Sequence, residues 1–520
     1  MNRWWALGFC LVAAGGLALR CVRLDNRPMH NDEAVNAIKL SGYWQPGHYR
    51  YDPNEHHGPT LYYSSLALIW LTGTRSFNDL SETMMRLTPA LFGVGLIVFL
   101  WPLAGGLGRG ATLVAALLTA ISPAMVFYSR YYIHEMLLIF FTMLIVVGGW
   151  RYKLSGKWGW AVLTGAGLGL MFATKETFVF SVVAVVTALA VTAWLEGGAT
   201  GFQRLHASCK PSHLLAGAVA ALVVALALFT SFGTNPVGPL DSIRTYLPWL
   251  KRAGGASPHV HPWHFYLERL FLFHRSKGPW WSEGLIGVLS MVGIFSALRG
   301  TLPAGAGRTL VRFLTFYTLA LAGIYASISY KTPWCLIGFL HGLILLAGIG
   351  VMSLARFGKT IFAKSAGIAL LGLAICHLAW EAWEASFVQF ADWRNPYVYS
   401  QTVPDILRLT SQVQVLARVH PAGDQMLVKV IAPASDYWPL PYYLRHLTQV
   451  GWYDALPVDP YAPVVVVSSK LSANLDERSG KRWLLAGLFE LRPRVFLELY
   501  VEAGLWRHWV EENGRHATPE

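Results

Sequence analysis

The chain has 520 residues, of which 54% are apolar and only 14% charged, with a mean hydropathy of +0.40. A soluble protein of that size covers itself with roughly 25% charged residues, so the composition excludes a cytosolic enzyme, while normal charge density after Glu381 excludes a chain wholly in lipid. The net charge of +13 needs no nucleic acid, because membrane proteins collect Lys and Arg in cytoplasmic loops, and five cysteines at unrelated spacings indicate neither a disulfide framework nor a cysteine metal site.

A helix needs about 20 apolar residues to cross a bilayer. Segments near 4–22, 87–105, 111–128, 134–150, 158–174, 177–195, 213–233, 282–298, 313–330, 334–353 and 363–380 predict eleven spans. The first has Arg3 before an apolar core, as a signal peptide would, but ten spans follow it and a retained helix is expected. Residues 60–73 are apolar and aromatic but number only fourteen, too short to cross and suited to lying on the surface. With that segment outside the count and the N-terminus cytoplasmic, the inner connections carry Arg3, Arg109, Arg151, Lys153, Lys157, Arg204, Lys210, Arg299, Arg308, Arg312, Arg356, Lys359 and Lys364 against the single acid Glu196. That is the positive-inside pattern. The outer loop 234–281 runs counter to it, with Arg244, Lys251, Arg252, Arg269, Arg275 and Lys277 against Asp241 and Glu268.

An odd number of spans puts the C-terminus outside. Residues 1–384 then form a transmembrane domain with outer loops 23–86 and 234–281, and residues 385–520 an extracytoplasmic domain. Patterning there predicts helix over 403–415, strand over 425–431, helix over 437–445 and strands over 462–468 and 496–501. The expected fold class is an α-helical polytopic protein of the cell (plasma) membrane, with about eleven transmembrane helices, an outer surface helix and a small C-terminal α/β domain.

The ionisable residues near the spans sort to the outer face. The first outer loop holds His30-Asn31-Asp32-Glu33-Ala34, then Asp52, Glu55, His56 and His57. Tyr128-Ser129-Arg130 and His134-Glu135 follow the third span, Lys175-Glu176 is the whole turn between the fifth and sixth, and Lys331 lies between the ninth and tenth. Turns so short hold their charges at the interface, where an unpaired ion is costly and function is the default hypothesis. A carboxylate such as Asp32 or Glu33 can deprotonate an acceptor hydroxyl. Arg86, Arg130, Lys175 and Lys331 can neutralise a phosphate that leaves with a lipid. Each also has a plain structural reading: Asp32 and Glu33 as a helix start, Glu135 as a partner of Arg130 or Lys175, and Lys331 as a snorkelling base.

Three histidines in His259-Val260-His261-Pro262-Trp263-His264 lack a carboxylate pattern, and a loop on the membrane anchored by Trp263, Trp280 and Trp281 is expected there. No phosphate loop, dinucleotide fingerprint or nucleophile elbow occurs in its required context. No cofactor is demanded by any pattern, and a divalent metal is left open.

These residues resemble the membrane glycosyltransferases of the GT-C fold, of the dolichyl-phosphate-mannose protein mannosyltransferase and lipid A aminoarabinose transferase type. The resemblance runs through His30-Asn31-Asp32-Glu33-Ala34, His57-Gly58-Pro59-Thr60-Leu61-Tyr62-Tyr63, Arg86-Leu87-Thr88-Pro89-Ala90-Leu91-Phe92-Gly93, Ser122-Pro123 and Tyr128-Ser129-Arg130. More narrowly, Ile133-His134-Glu135, Ala173-Thr174-Lys175-Glu176, Tyr330-Lys331-Thr332-Pro333-Trp334 and Trp438-Pro439-Leu440-Pro441 are similar to the flippase-activity-associated subfamily of archaeal N-glycosylation. The resemblance implies transfer of a sugar from a polyprenyl-phosphate-linked donor to a protein, lipid or glycan acceptor at the extracytoplasmic face. It implies Asp32 as the base with Glu33 beside it, and Glu135 where the mannosyltransferases usually carry aspartate. His30, His57, His134 and Glu176 complete the candidate site. A lipid-linked sugar flippase, or a non-catalytic flippase-associated protein, is the alternative; transporters place charges near mid-membrane, and these spans are almost free of them.

Overall fold

A computed structural model describes residues 3–44, 50–54, 57–249, 259–356 and 360–515, the last three without side-chain detail. Glu55, His56, Lys251, Arg252 and Lys359 of the patterns above lie outside the described residues.

Eight helices among the described residues are long and apolar enough to cross a membrane: Arg3–Cys21, Glu82–Leu107, Glu135–Ser155, Phe178–Leu195, Pro211–Phe229, Arg308–Ser327, Pro333–Leu354 and Ile361–Val388. A ninth span would be Arg109–Ile121 with Pro123–Ser129, which meet at a 57° bend. The bend follows from Ser122-Pro123, since proline lacks the amide a continuous helix needs and suits the first position of a new one, which Ser122 caps through the Met125 amide. The remaining two expected spans are the apolar helices Trp158–Phe172 and Gly284–Arg299, of 15 and 16 residues. They are shorter than a straight crossing of about 20 residues requires. Every expected span is thus helical, but length alone identifies eight. Thr60–Thr72 forms a short helix between the first two of these spans.

Small residues let the spans approach closely. A Cβ on Gly165 would come within 1.9 Å of the Gly217 carbonyl, so the helices Trp158–Phe172 and Pro211–Phe229 meet backbone to backbone.

The C-terminal region holds a five-stranded sheet of β1 (Val428–Ile431), β2 (Val450–Tyr453), β3 (Val464–Ser468), β4 (Trp483–Arg492) and β5 (Val495–Glu502), in the order β2-β1-β3-β5-β4. β1 is parallel to β2 and β3, while β5 is antiparallel to β3 and β4. The central β1 and β3 are buried along their whole length and read as continuous valine-rich runs, as strands covered on both faces do. The helix Asp405–Val419 buries Ile406, Leu409, Val413 and Leu416 on one stripe. Expected elements over 403–415, 425–431, 437–445, 462–468 and 496–501 all have counterparts; β2, β4 and the helix Ala503–Arg515 were not expected.

This region is fastened to the loop after the first span. Tyr443 Oη accepts from the Met29 amide at 2.8 Å, and Gln401 Nε2 donates to the Pro28 carbonyl at 3.0 Å. Trp263 and Trp280 are exposed as membrane anchors would be, but Trp281 is not: its backbone pairs with Phe273 and its side chain is buried in the helical core.

Candidate functional site

The helix Asn31–Ser41 starts where the chain turns back from the first span. His30 caps it, its Nδ1 accepting from the Asp32 amide at 3.1 Å, while the Glu33 carboxylate accepts from the His30 amide at 2.9 Å. This reciprocal pair is a capping box with histidine in the usual serine place. His30 Nε2 donates to the Tyr399 carbonyl, which fixes the ring. Asp32 occupies the first turn, where the helix dipole favours a carboxylate, and its side chain is 44% exposed.

Glu33 has no exposed surface. It accepts from Arg86 Nε and Nη2 at 2.7 Å each and from the Tyr132 amide at 2.9 Å. Burial pushes its carboxyl up, but the Arg86 and Arg27 guanidiniums outweigh burial and hold it down at about 2. The rest of Arg86 donates to the carbonyls of Leu24, Arg27 and Pro28. Arg130 does the same one turn earlier, donating to Leu19, Arg20, Val22 and Arg23 carbonyls and so capping the last turn of the first span. Neither arginine lines the cavity described next; both guanidiniums are engaged with backbone carbonyls of residues 19–28.

A cavity of about 630 Å³ opens beside this loop, with Asp32, His57, His134, Glu135, Lys175 and Glu176 in its wall. Lys175 Nζ pairs with Glu135, both buried. Burial alone would lower the lysine, but the Glu135 carboxylate prevails and raises it above its usual range. His57 Nδ1 lies 2.7 Å from Glu176 Oε2 and the His57 ring stacks on Trp249. Burial raises the Glu176 carboxyl, yet His57 beside it more than offsets this and leaves it below the ordinary value.

Gly58 makes the arrangement reachable. Its amide donates to Thr174, Thr60 donates to Ala173, and His134 Nε2 donates to the Gly58 carbonyl. A Cβ at Gly58 would fall 2.1 Å from the Ala173 carbonyl oxygen, so only glycine brings this strand of chain against the Lys175-Glu176 turn.

Six of the eleven candidate residues therefore converge, while Glu33, Arg86, Arg130, His30 and Lys331 stand behind the wall. Lys331 Nζ is held by the His261 and Ile328 carbonyls. Sequence reasoning missed the aromatic lining, Tyr246, Trp249, Tyr325, Tyr330 and Trp334. Only the Tyr330 to Trp334 motif hinted at it; the others come from segments with no distinguishing spacing. Among the described residues no group of three or more His, Cys, Asp or Glu side chains is placed to hold a metal ion.

The family model for dolichyl-phosphate-mannose-protein mannosyltransferase matches residues 62–235. Protein O-mannosyl-transferase 1 of Rattus norvegicus is 33% identical over 170 residues, covering 31% of this chain and 22% of that protein. Its Homo sapiens counterpart is 30% identical over 189 residues, covering 31% and 25%. The matched part thus spans 25% or less of the length of these curated relatives. In structure, ArnT from Cupriavidus metallidurans bound to undecaprenyl phosphate aligns with a TM-score of 0.62 at 15% identity, over 97% of this chain and 99% of that one. The Archaeoglobus fulgidus oligosaccharyltransferase aligns at 0.57 and 14% identity, over 88% and 65%. The chain is a multi-pass membrane protein that shares the GT-C fold of these two structures.

Proposed function

We propose that the protein moves a sugar from a polyprenyl-phosphate donor to a protein, lipid or glycan acceptor at the outer membrane face. The observation that carries this reading is the partly exposed Asp32 sharing one cavity with the buried Lys175–Glu135 pair. The acceptor hydroxyl attacks the anomeric carbon while the bond from that carbon to the phosphate oxygen breaks. Asp32 receives the hydroxyl proton, and the bonding pair leaves on the lipid phosphate, which Lys175 and His57 neutralise. Glu33 is a positioning residue: it fixes the first turn that presents Asp32, and Arg86 fixes Glu33. The match to the mannosyltransferase model and the undecaprenyl phosphate bound in the similar ArnT support a lipid-phosphate donor.

In this reading the eleven apolar helices cross the cell membrane from a cytoplasmic N-terminus, and residues 385–520 form an outer domain that bears on acceptor choice. The positive-inside count supports that orientation. The middles of the candidate spans carry no Asp, Glu, Lys or Arg, which favours transfer over a flippase; the likeness to flippase-associated proteins then records kinship rather than activity. Purified protein offered a panel of polyprenyl-phosphate sugars should transfer one of them, and Asp32→Asn should stop it. Turnover that survives the substitution would remove Asp32 from the mechanism; lipid translocation without turnover would replace the reading.

A further inference from the structure

A second cavity, of about 470 Å³, lies at the opposite end of the bundle from Asp32. The helices Glu135–Ser155, Phe178–Leu195 and Arg308–Ser327 line both, giving Glu135, Phe180 and Tyr325 to the outer one and Trp150, Leu189 and Phe313 to the other. Between them a void of only about 20 Å³ remains, at Thr142, Ser181 and Tyr317. The two cavities are therefore separate sites on shared walls.

The second cavity is apolar inside and basic at its rim, where Lys153 and Arg204 stand. Arg151, Arg308 and Arg312 lie on the same helix ends, and the one acid in the wall, Glu196, accepts from Thr309 Oγ1 at 2.5 Å. Gly149 is part of the wall, and a Cβ there would meet nothing within 4 Å.

We propose that this cavity holds an anionic glycerophospholipid from the leaflet on the basic side, with its phosphate between Lys153 and Arg204 and one acyl chain inside. Its volume suits a single chain rather than a whole lipid, and the constriction closes the far end. The volume distinguishes the occupant, since it takes one acyl chain of a glycerophospholipid but not the much longer chain of undecaprenyl phosphate. The site is independent of sugar transfer.

Native mass spectrometry of the full chain in detergent tests this with phosphatidylglycerol, phosphatidylcholine and undecaprenyl phosphate. Phosphatidylglycerol should bind more tightly than phosphatidylcholine. It should weaken by about tenfold or more when Lys153→Glu and Arg204→Glu are combined, and likewise in Gly149→Leu, which fills the cavity. The rim bases are exposed on the surface, so the charge reversal reports on binding even if Gly149→Leu were to unfold. Phosphatidylglycerol binding that ignores both variants, or equal binding of the two phospholipids, overturns the proposal. Loss of undecaprenyl phosphate alone in Gly149→Leu also overturns it, by assigning the cavity to a polyprenyl lipid.

Discussion

Glu33 and Arg86 share two hydrogen bonds of 2.7 Å, and neither side chain reaches solvent. The pair joins the loop after the first span to the head of the next one, and it sits directly behind Asp32. Removing one partner of such a pair leaves a buried charge without compensation, at about 3–5 kcal/mol. Arg86→Met should lower the unfolding free energy by that order, and Arg86→Met with Glu33→Gln by less, as measured by denaturant or thermal unfolding in detergent.

Acid should attack the same joint. The Glu33 carboxyl is held at about 2 against an ordinary 4.5, so its contribution to stability is complete above pH 4.5 and is lost as pH falls from there toward 2. The melting temperature of the wild type should drop across that window more steeply than that of Glu33→Gln. Parallel curves would mean that the pair is not coupled to folding.

Asp32→Asn should keep the fold, since the side chain is partly exposed and the first-turn geometry comes from His30 and Glu33. Transfer should fall by about 10²–10⁴, the usual worth of a general base.

For the buried pair in the cavity, Lys175→Met alone strands Glu135 and should destabilise the protein as well as weaken donor use. Lys175→Met with Glu135→Gln should regain much of the stability and none of the activity. Recovery of both would show that the lysine serves only to neutralise its partner.

Gly58→Ala carries a steric prediction. The added methyl must displace the Ala173 carbonyl, so the His57–Glu176 contact at 2.7 Å is expected to open. Turnover should fall by more than the change in melting temperature accounts for, and Gly58→Val should be worse.

What the sequence disclosed divides along physical lines. Spans are legible because apolar length is a local property, and the outer charges are legible because few residues separate them from a span. The destinations of the arginines are not legible. Arg86 and Arg130 are aimed by carbonyls of residues 19–28, about 60 and 110 positions away, and no local pattern reports where a backbone turn will point its oxygens. β4 was hidden for a different reason: Trp483-Leu484-Leu485-Ala486-Gly487-Leu488 is rich in leucine and alanine, which favour helix, and only its pairing with β5 makes it a strand.

Met29 and Pro28, bonded to Tyr443 and Gln401, stand three and four residues ahead of Asp32. The Asp32 carboxylate therefore takes its bearings from two parts of the chain at once, from the membrane helices through Glu33 and from the C-terminal region through Met29. Tilting that region against the spans would swing the carboxylate across the cavity mouth without altering a single group inside it. A chain cut before residue 400 would keep the cavity wall's Asp32, His57, Glu135 and Lys175 and lose one of the two struts that aim the first of them.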